Sequence, residues 1–147
     1  ERGLGGELTL GCLKFKNHLP FKANSDGDVM IHSLCNALSS ALGGKSLGFF
    51  ADKMCLKKGI KDSKEFLKPL LLELKKKNLK ITSVSFSLEC KIPKIDLIVD
   101  DLKKSLSKIL KINTENIGIT ATSGEDMTPF GKGEGVRCSC VVLVKSF

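Results

Sequence analysis

Apolar positions along the 147-residue chain divide it into alternating helical and extended segments. Ile31, Leu34, Cys35, Leu38, Ala41 and Leu42 recur at three- and four-residue spacing, which predicts a helix over 26–42 with one buried face. Ser25 and Asp26 are suited to cap it, because their side-chain oxygens can accept the free amide hydrogens of a first turn. Asp28 adds a negative charge where the helix dipole favours one, and Gly43 and Gly44 end the helix. Off the apolar face, Asp28, His32 and Asn36 lie four residues apart and predict one polar column.

Ahead of this helix, residues 7–15 alternate loosely and predict a strand. Gly3, Gly5 and Gly6 precede it as flexible chain, and 17–20 predict a turn starting at Asn17. Residues 45–62 have no period and predict a loop, long enough to suggest a functional one. Ser63 then predicts the cap of a second helix with Phe66, Leu67, Leu70, Leu71 and Leu74 inward, bent at Pro69. Residues 81–89 read as a strand, Val84, Phe86 and Leu88 facing one way and Ser83, Ser85 and Ser87 the other. A connection through Pro93 and Lys94 leads to a third helix built on Ile98, Leu102, Leu106, Ile109 and Leu110. A strand over 117–122, a glycine-rich loop and a last strand over 136–144 close the chain on a hairpin-like pair. The expected architecture is a single α/β domain over 1–147, a two-layer sandwich whose mixed sheet carries helices on one face.

Composition narrows the function classes. The net charge is +8, with 22 lysines against 2 arginines, which favours anionic partners. A nucleic-acid reader would be expected to carry arginine forks and stacking aromatics, and this chain has neither Trp nor Tyr. Small phosphorylated molecules are the better match, with no nucleic-acid partner expected. The chain has no apolar run long enough to span a membrane and no basic-then-apolar signal segment, so no membrane partner is expected either. Six scattered cysteines without a C-x-x-C pair read as reduced core residues of an intracellular compartment.

Two stretches could carry chemistry. His32 could be a metal ligand, a base or a structural side chain. The loop 122–135 holds hydroxyls, carboxylates, Lys132 and Gly124, Gly131, Gly133 and Gly135. Its glycines would let backbone amides approach an anion, and Glu125 could hold a hard cation such as magnesium. The plainer reading is a hairpin loop of ordinary turn residues. It is not a Walker loop, because no serine or threonine follows Gly131-Lys-Gly133 to open a helix. Cys138 and Cys140 share one side of a strand and could chelate a soft metal, although Val142 and Val144 in the same row favour core packing. His18 reads as solvated surface.

The Ser25-Asp-Gly-Asp-Val-x-x-His32 stretch resembles the signature of the 2-C-methyl-D-erythritol 2,4-cyclodiphosphate synthase family of the non-mevalonate isoprenoid pathway. Gly48-Phe-Phe-Ala-Asp52 is similar to a second family segment, Pro93-Lys94 to its cytidine connection, and Thr122–Glu125 with Gly131–Gly135 to its phosphate loop. The resemblance implies a lyase that cyclises 4-diphosphocytidyl-2-C-methyl-D-erythritol 2-phosphate and releases CMP. It implies zinc at His32 and magnesium or manganese at Glu125. The implied catalytic residues are Asn24, Ser123 and Glu125. The implied substrate contacts are Asn24, Ser25, Ser46, Leu47, Gly48, Phe50 and Asp52 at the methylerythritol end and beside the diphosphate. Cys90, Lys91, Pro93, Lys94 and Asp96 fall to the cytidine, and Thr122, Ser123, Gly124, Glu125 and Lys132 to the phosphates. A homotrimer with sites between subunits is implied as well, and the lysine-rich composition suits a plastid protein that has lost its leader, or a cytoplasmic one if bacterial.

Three positions depart from the family pattern. Lys132 stands where an arginine is usual and keeps the charge without the bidentate fork. Asn24 stands for a histidine and Asn36 for an aspartate. The family's Asp-x-His pair, two of three zinc ligands, falls just before Glu1 in this register, so the N-terminal metal-ligand segment is expected to lie outside this sequence. These departures motivate an alternative, a non-catalytic CMP- or phosphate-binding homologue with a degraded site.

Overall fold

The middle of the fold is a strand whose alternate residues are buried. In the computed structural model, which describes residues 6–16 and 18–147, the elements are β1 (Leu8–Leu10), β2 (Leu13–Phe15), α1 (Val29–Ala41), α2 (Gly48–Lys58), α3 (Lys64–Lys76), β3 (Leu79–Glu89), α4 (Val99–Leu110), β4 (Ile117–Thr122) and β5 (Arg137–Ser146). β3 is flanked by β4, parallel to it, and by β5, antiparallel, so the sheet is mixed as expected. Its inward residues Val84, Phe86 and Leu88 are buried, while Ser85 and Ser87 are exposed on the other face. α1 packs on β5, α3 on β3 and α4 on β4, giving a layer of helices on one face of the sheet. Met30, Ile31, Leu34 and Leu38 of α1, Phe66 and Leu67 of α3, and Leu102 and Leu106 of α4 fill the space between the layers. No helix among the described residues is long and apolar enough to cross a membrane.

Several expectations need correction. The single strand over 7–15 is a hairpin: Leu8 pairs with Phe15 and Leu10 with Leu13 around Gly11 and Cys12. Both turn residues have positive φ, 57° and 63°, the conformation of a two-residue hairpin turn that matches strand twist. The Asp28 carboxylate stabilises it, accepting from the Gly11 amide at 3.0 Å and the Cys12 amide at 2.6 Å.

The same carboxylate is the cap of α1, accepting from the amides of Met30 and Ile31 at 3.1 Å each. The helix therefore starts at Val29, not 26, and neither Ser25 nor Asp26 caps it. Asp28 is wholly buried and is not part of a polar column with His32 and Asn36. Burial pushes its carboxyl up to about 6, against the pull of the amides it accepts from.

Residues 45–62 are not a loop throughout, since 48–58 form α2, ended by Gly59 in the left-handed conformation. Ser63 precedes α3 but does not cap it; the Asp62 carboxylate accepts the Lys64 amide instead. α3 runs through Pro69. β4 and β5 are not a hairpin pair, because β3 lies between them. His18 is half-buried rather than solvated. The expectations for Gly3, Gly5 and Asn17 lie outside the described residues.

Candidate functional site

The residues singled out by sequence fall into two groups. The first surrounds the outer side of α1. His32 is half-buried, its ring 5.9 Å from that of Phe66 in a tilted arrangement. Its Nε2 lies 2.9 Å from the Ser63 hydroxyl and 3.1 Å from that of Ser25. Ser63 is fully buried and its hydroxyl donates to the Asp26 carboxylate, which also accepts the amides of Ser63 and Asp28. Burial lowers the His32 imidazole below its ordinary value, so it is neutral near pH 7.

One turn further along α1, the Asn36 side-chain oxygen accepts the Leu47 amide at 2.7 Å. That bond fixes the segment 46–48, and with it the start of α2, beside α1. Asn24, Ser46, Gly48 and Asp52 are exposed there, Phe50 is half-buried, and Leu47 is buried, so Leu47 can offer a ligand its backbone but little of its side chain. A groove of about 480 Å³ runs between α1 and β5, lined by His32, Asn36, Val136 and Cys138 among others.

The second group sits where β3 and β4 end. Cys90 donates its amide to the Thr122 carbonyl at 2.9 Å, so the connection after β3 is tied to the last residue of β4. Cys90, Lys94, Ile95 and Asp96 line a pocket of about 240 Å³ together with Ala121, Thr122 and Ser123. Pro93, after a cis peptide bond, is buried beneath it, its carbonyl accepting from the Cys90 thiol.

The loop beyond Ser123 folds tightly on itself. A methyl group at Gly124, whose φ is +72°, would meet Gly131 Cα at 2.8 Å, and one at Gly131 would meet the Gly124 oxygen at 2.6 Å. Two side-chain pairs hold the loop down: Lys91 pairs with Asp126, and Thr128 donates to Glu89. The Lys91 ammonium keeps the exposed Asp126 carboxyl below the usual range. Glu125 and Lys132 are both exposed, Glu125 in a left-handed backbone conformation with φ 45°.

As metal ligands the described residues are sparse. Among them no three His, Cys, Asp or Glu side chains converge on one point. Burial pushes the thiols of Cys138 and Cys140 up to about 11 and about 12, which keeps both protonated, and Cys138 accepts a hydrogen bond from Ser33. Cys12, Cys35, Cys55, Cys138 and Cys140 are free thiols.

Sequence reasoning missed Ser63 as a partner of His32 and Asp26 as the partner of Ser63. Thirty-one residues separate Ser63 from His32, and nothing in a local pattern joins them.

Comparison with known proteins bears on both groups. The family model described as the YgbB family matches residues 2–145. The 2-C-methyl-D-erythritol 2,4-cyclodiphosphate synthase of Chlamydia muridarum is 41% identical over 138 residues, covering 94% of this chain and 77% of that protein. That of Chlamydia felis is 39% identical over 133 residues, covering 90% and 75%. Among solved structures, the CDP complex of IspF from Plasmodium falciparum superposes with a TM-score of 0.82 at 27% identity, covering 96% of this chain and 85% of that one. A CDP-bound 2C-methyl-D-erythritol-2,4-cyclodiphosphate synthase superposes with a TM-score of 0.87 at 27% identity, covering 98% and 94%.

Proposed function

The chain belongs to the YgbB family, and from that premise we propose that it is a 2-C-methyl-D-erythritol 2,4-cyclodiphosphate synthase. It converts 4-diphosphocytidyl-2-C-methyl-D-erythritol 2-phosphate into the cyclic diphosphate and CMP. An oxygen of the 2-phosphate bonds to the β-phosphorus, the bond from that phosphorus to the α–β bridging oxygen breaks, and its electron pair leaves with CMP. The observation that carries the reading is the pocket in which the 90–96 connection faces Thr122 and Ser123. It sets a nucleoside-sized recess beside hydroxyls and a glycine loop, and two of the matching structures hold CDP.

The reaction needs no protein nucleophile, so the protein's work is orientation and neutralisation of crowded charge. Backbone groups of 90–96 receive the cytosine. The Thr122 and Ser123 hydroxyls donate to phosphate oxygens, and Lys132 adds a point charge from the exposed side of the loop. Asn24 and Ser25, at the entry to α1, donate to the diphosphate beside His32. Ser46, Gly48, Phe50 and Asp52 line the methylerythritol end, held there by the Asn36–Leu47 bond.

Zinc at His32 and magnesium or manganese at Glu125 belong to this reading. The described residues offer one ligand to each, a neutral imidazole and an exposed carboxylate, and not a complete site for either. A metal bound there would act as a Lewis acid on phosphate oxygen. The outer edge of β5 is unpaired among the described residues and borders the groove past His32.

A homotrimer is part of the same proposal. It is supported by the sheet face without helices, where Val141 and Leu143 are 71% and 61% exposed.

The test is incubation of the chain, in its full-length form, with the cytidylyl substrate, magnesium and zinc, followed by chromatography for CMP. Release of CMP with the cyclic product is expected, and its absence overturns the proposal. CMP binding without turnover would mark the non-catalytic alternative, which the comparisons do not favour.

A further inference from the structure

The loop that carries Ser123 and Lys132 leaves the sheet at Thr122 and returns at Arg137, and both of those residues pair with Glu89, the last residue of β3. Glu89 therefore stands at the base of the loop, between its two ends. Its carboxylate accepts the Thr128 hydroxyl and lies so close to the loop that a methyl group at Gly124 would meet Oε1 at 2.6 Å. The Thr128 oxygen that donates to Glu89 also accepts the Gly131 amide at 3.0 Å, and the Thr128 carbonyl accepts the Lys132 amide at 2.9 Å. One residue thus fixes the glycine pressed against Gly124 and the lysine after it. Ser123 precedes Gly124 and Lys132 follows Gly131, so this contact sets the spacing between them. The Lys91–Asp126 pair ties the loop from outside, but it is exposed, and an exposed ion pair holds little in water. Glu89 and Thr128 are half-buried, and a hydrogen bond to a carboxylate there is the stronger restraint.

We propose that Thr128, anchored on Glu89, is a positioning residue that holds the 128–132 turn against Gly124 and so keeps Ser123 and Lys132 at the spacing a phosphate group needs. The proposal rests on the reading of this loop as the phosphate-binding part of the site. Neither Glu89 nor Thr128 touches the ligand in it, and neither lines the recess formed by the 90–96 connection with Thr122 and Ser123. The effect is therefore selective. Loss of the anchor loosens the grip on phosphate and leaves nucleoside binding as it was. Thr122 does not depend on the anchor in the same way, because its own hydroxyl oxygen accepts the Gly124 amide at 3.2 Å and its hydrogen stays free to donate.

The experiment compares binding of CDP and of cytidine to the full-length protein by calorimetry, with hydrogen exchange of the Gly131 amide followed by NMR. The wild type should bind CDP more tightly than cytidine and show a protected Gly131 amide. Thr128→Val, which keeps the shape and removes the hydroxyl, should lose that protection, weaken CDP about tenfold or more and leave cytidine unchanged. Thr128→Ser, which keeps the hydroxyl, should restore both. Glu89→Leu should weaken CDP to the same degree, and the double variant should lose no more than either single one, because the two side chains act as one pair. A general loosening of the fold would instead weaken CDP and cytidine together. Unchanged CDP affinity in either single variant, an equal loss for the two ligands, or additive losses in the double variant overturns the proposal. If Thr128→Val does not fold, Glu89→Leu decides. Failure here leaves CMP release intact, whereas absence of CMP release leaves a selective loss of CDP standing, so the two readings fall separately.

Discussion

The carboxylate of Asp28 accepts the amide of Cys12, sixteen residues earlier, at 2.6 Å, and in the same position holds the first turn of α1. One buried side chain thus joins the tip of the β1–β2 hairpin to the start of the helix that carries His32. Asp28→Asn replaces one accepting oxygen by a donating NH₂ that must face an amide hydrogen. The expected loss is about 2 kcal/mol, the cost of a buried donor left unsatisfied. For a chain of this length that lowers the melting temperature by about 4–8 °C. An unchanged melting curve would remove Asp28 from its place as the link.

His32 predicts a pH dependence. Its folded-state pKa lies below the ordinary value because burial disfavours the imidazolium. As pH falls below about 6.5 the unfolded chain binds a proton that the folded chain refuses, so stability is full above that value and declines below it. His32→Gln should flatten this part of the profile. Urea unfolding of the two proteins at pH 7.5 and 5.5 measures the difference, and equal slopes would contradict it.

Gly124→Ala tests the pinch in the loop. The new methyl would meet Gly131 Cα at 2.8 Å, at a φ of +72° that itself costs about 1–2 kcal/mol for a residue with a side chain. CMP affinity should fall about tenfold or more with the fold retained. Gly43→Ala is the control: its φ is the same, +72°, but nothing lies within 4 Å, so it should lower stability and leave CMP binding alone. Equal CMP affinity in both variants would show that the close approach has no part in binding. Calorimetry reads both.

Glu125→Gln keeps the shape of an exposed side chain and removes its charge. Turnover and the response to magnesium should be lost together, with the melting temperature within about 1 °C of the parent, since exposed substitutions change stability little. Normal turnover in the variant would take Glu125 out of the mechanism.

Much of this fold is legible in the periods of the chain, and the exceptions have physical reasons. β3 shows itself because Val84, Phe86 and Leu88 alternate with serines, and α4 because Leu102, Leu106 and Leu110 face inward at helical spacing. α2 is hidden because Ala51 alone of its eleven residues is buried, so no apolar stripe marks it. The hairpin is hidden because its turn, Gly11-Cys12, lacks the usual Asn-Gly signature and is secured by a carboxylate sixteen residues away. At the site, only the family resemblance singles out Lys94, Asp96, Thr122 and Ser123, and the structure brings the four to one pocket. The cap of α1 is ambiguous in the sequence because one hydroxyl and two carboxylates, those of Ser25, Asp26 and Asp28, compete within four residues. Asp26 is withdrawn from that competition by Ser63, a contact that local spacing does not encode.

The outer edge of β5, unpaired among the described residues, has a consequence for handling the molecule. The same strand turns Val141 and Leu143 to solvent. An edge of that kind accepts whichever extended backbone reaches it first, native or foreign.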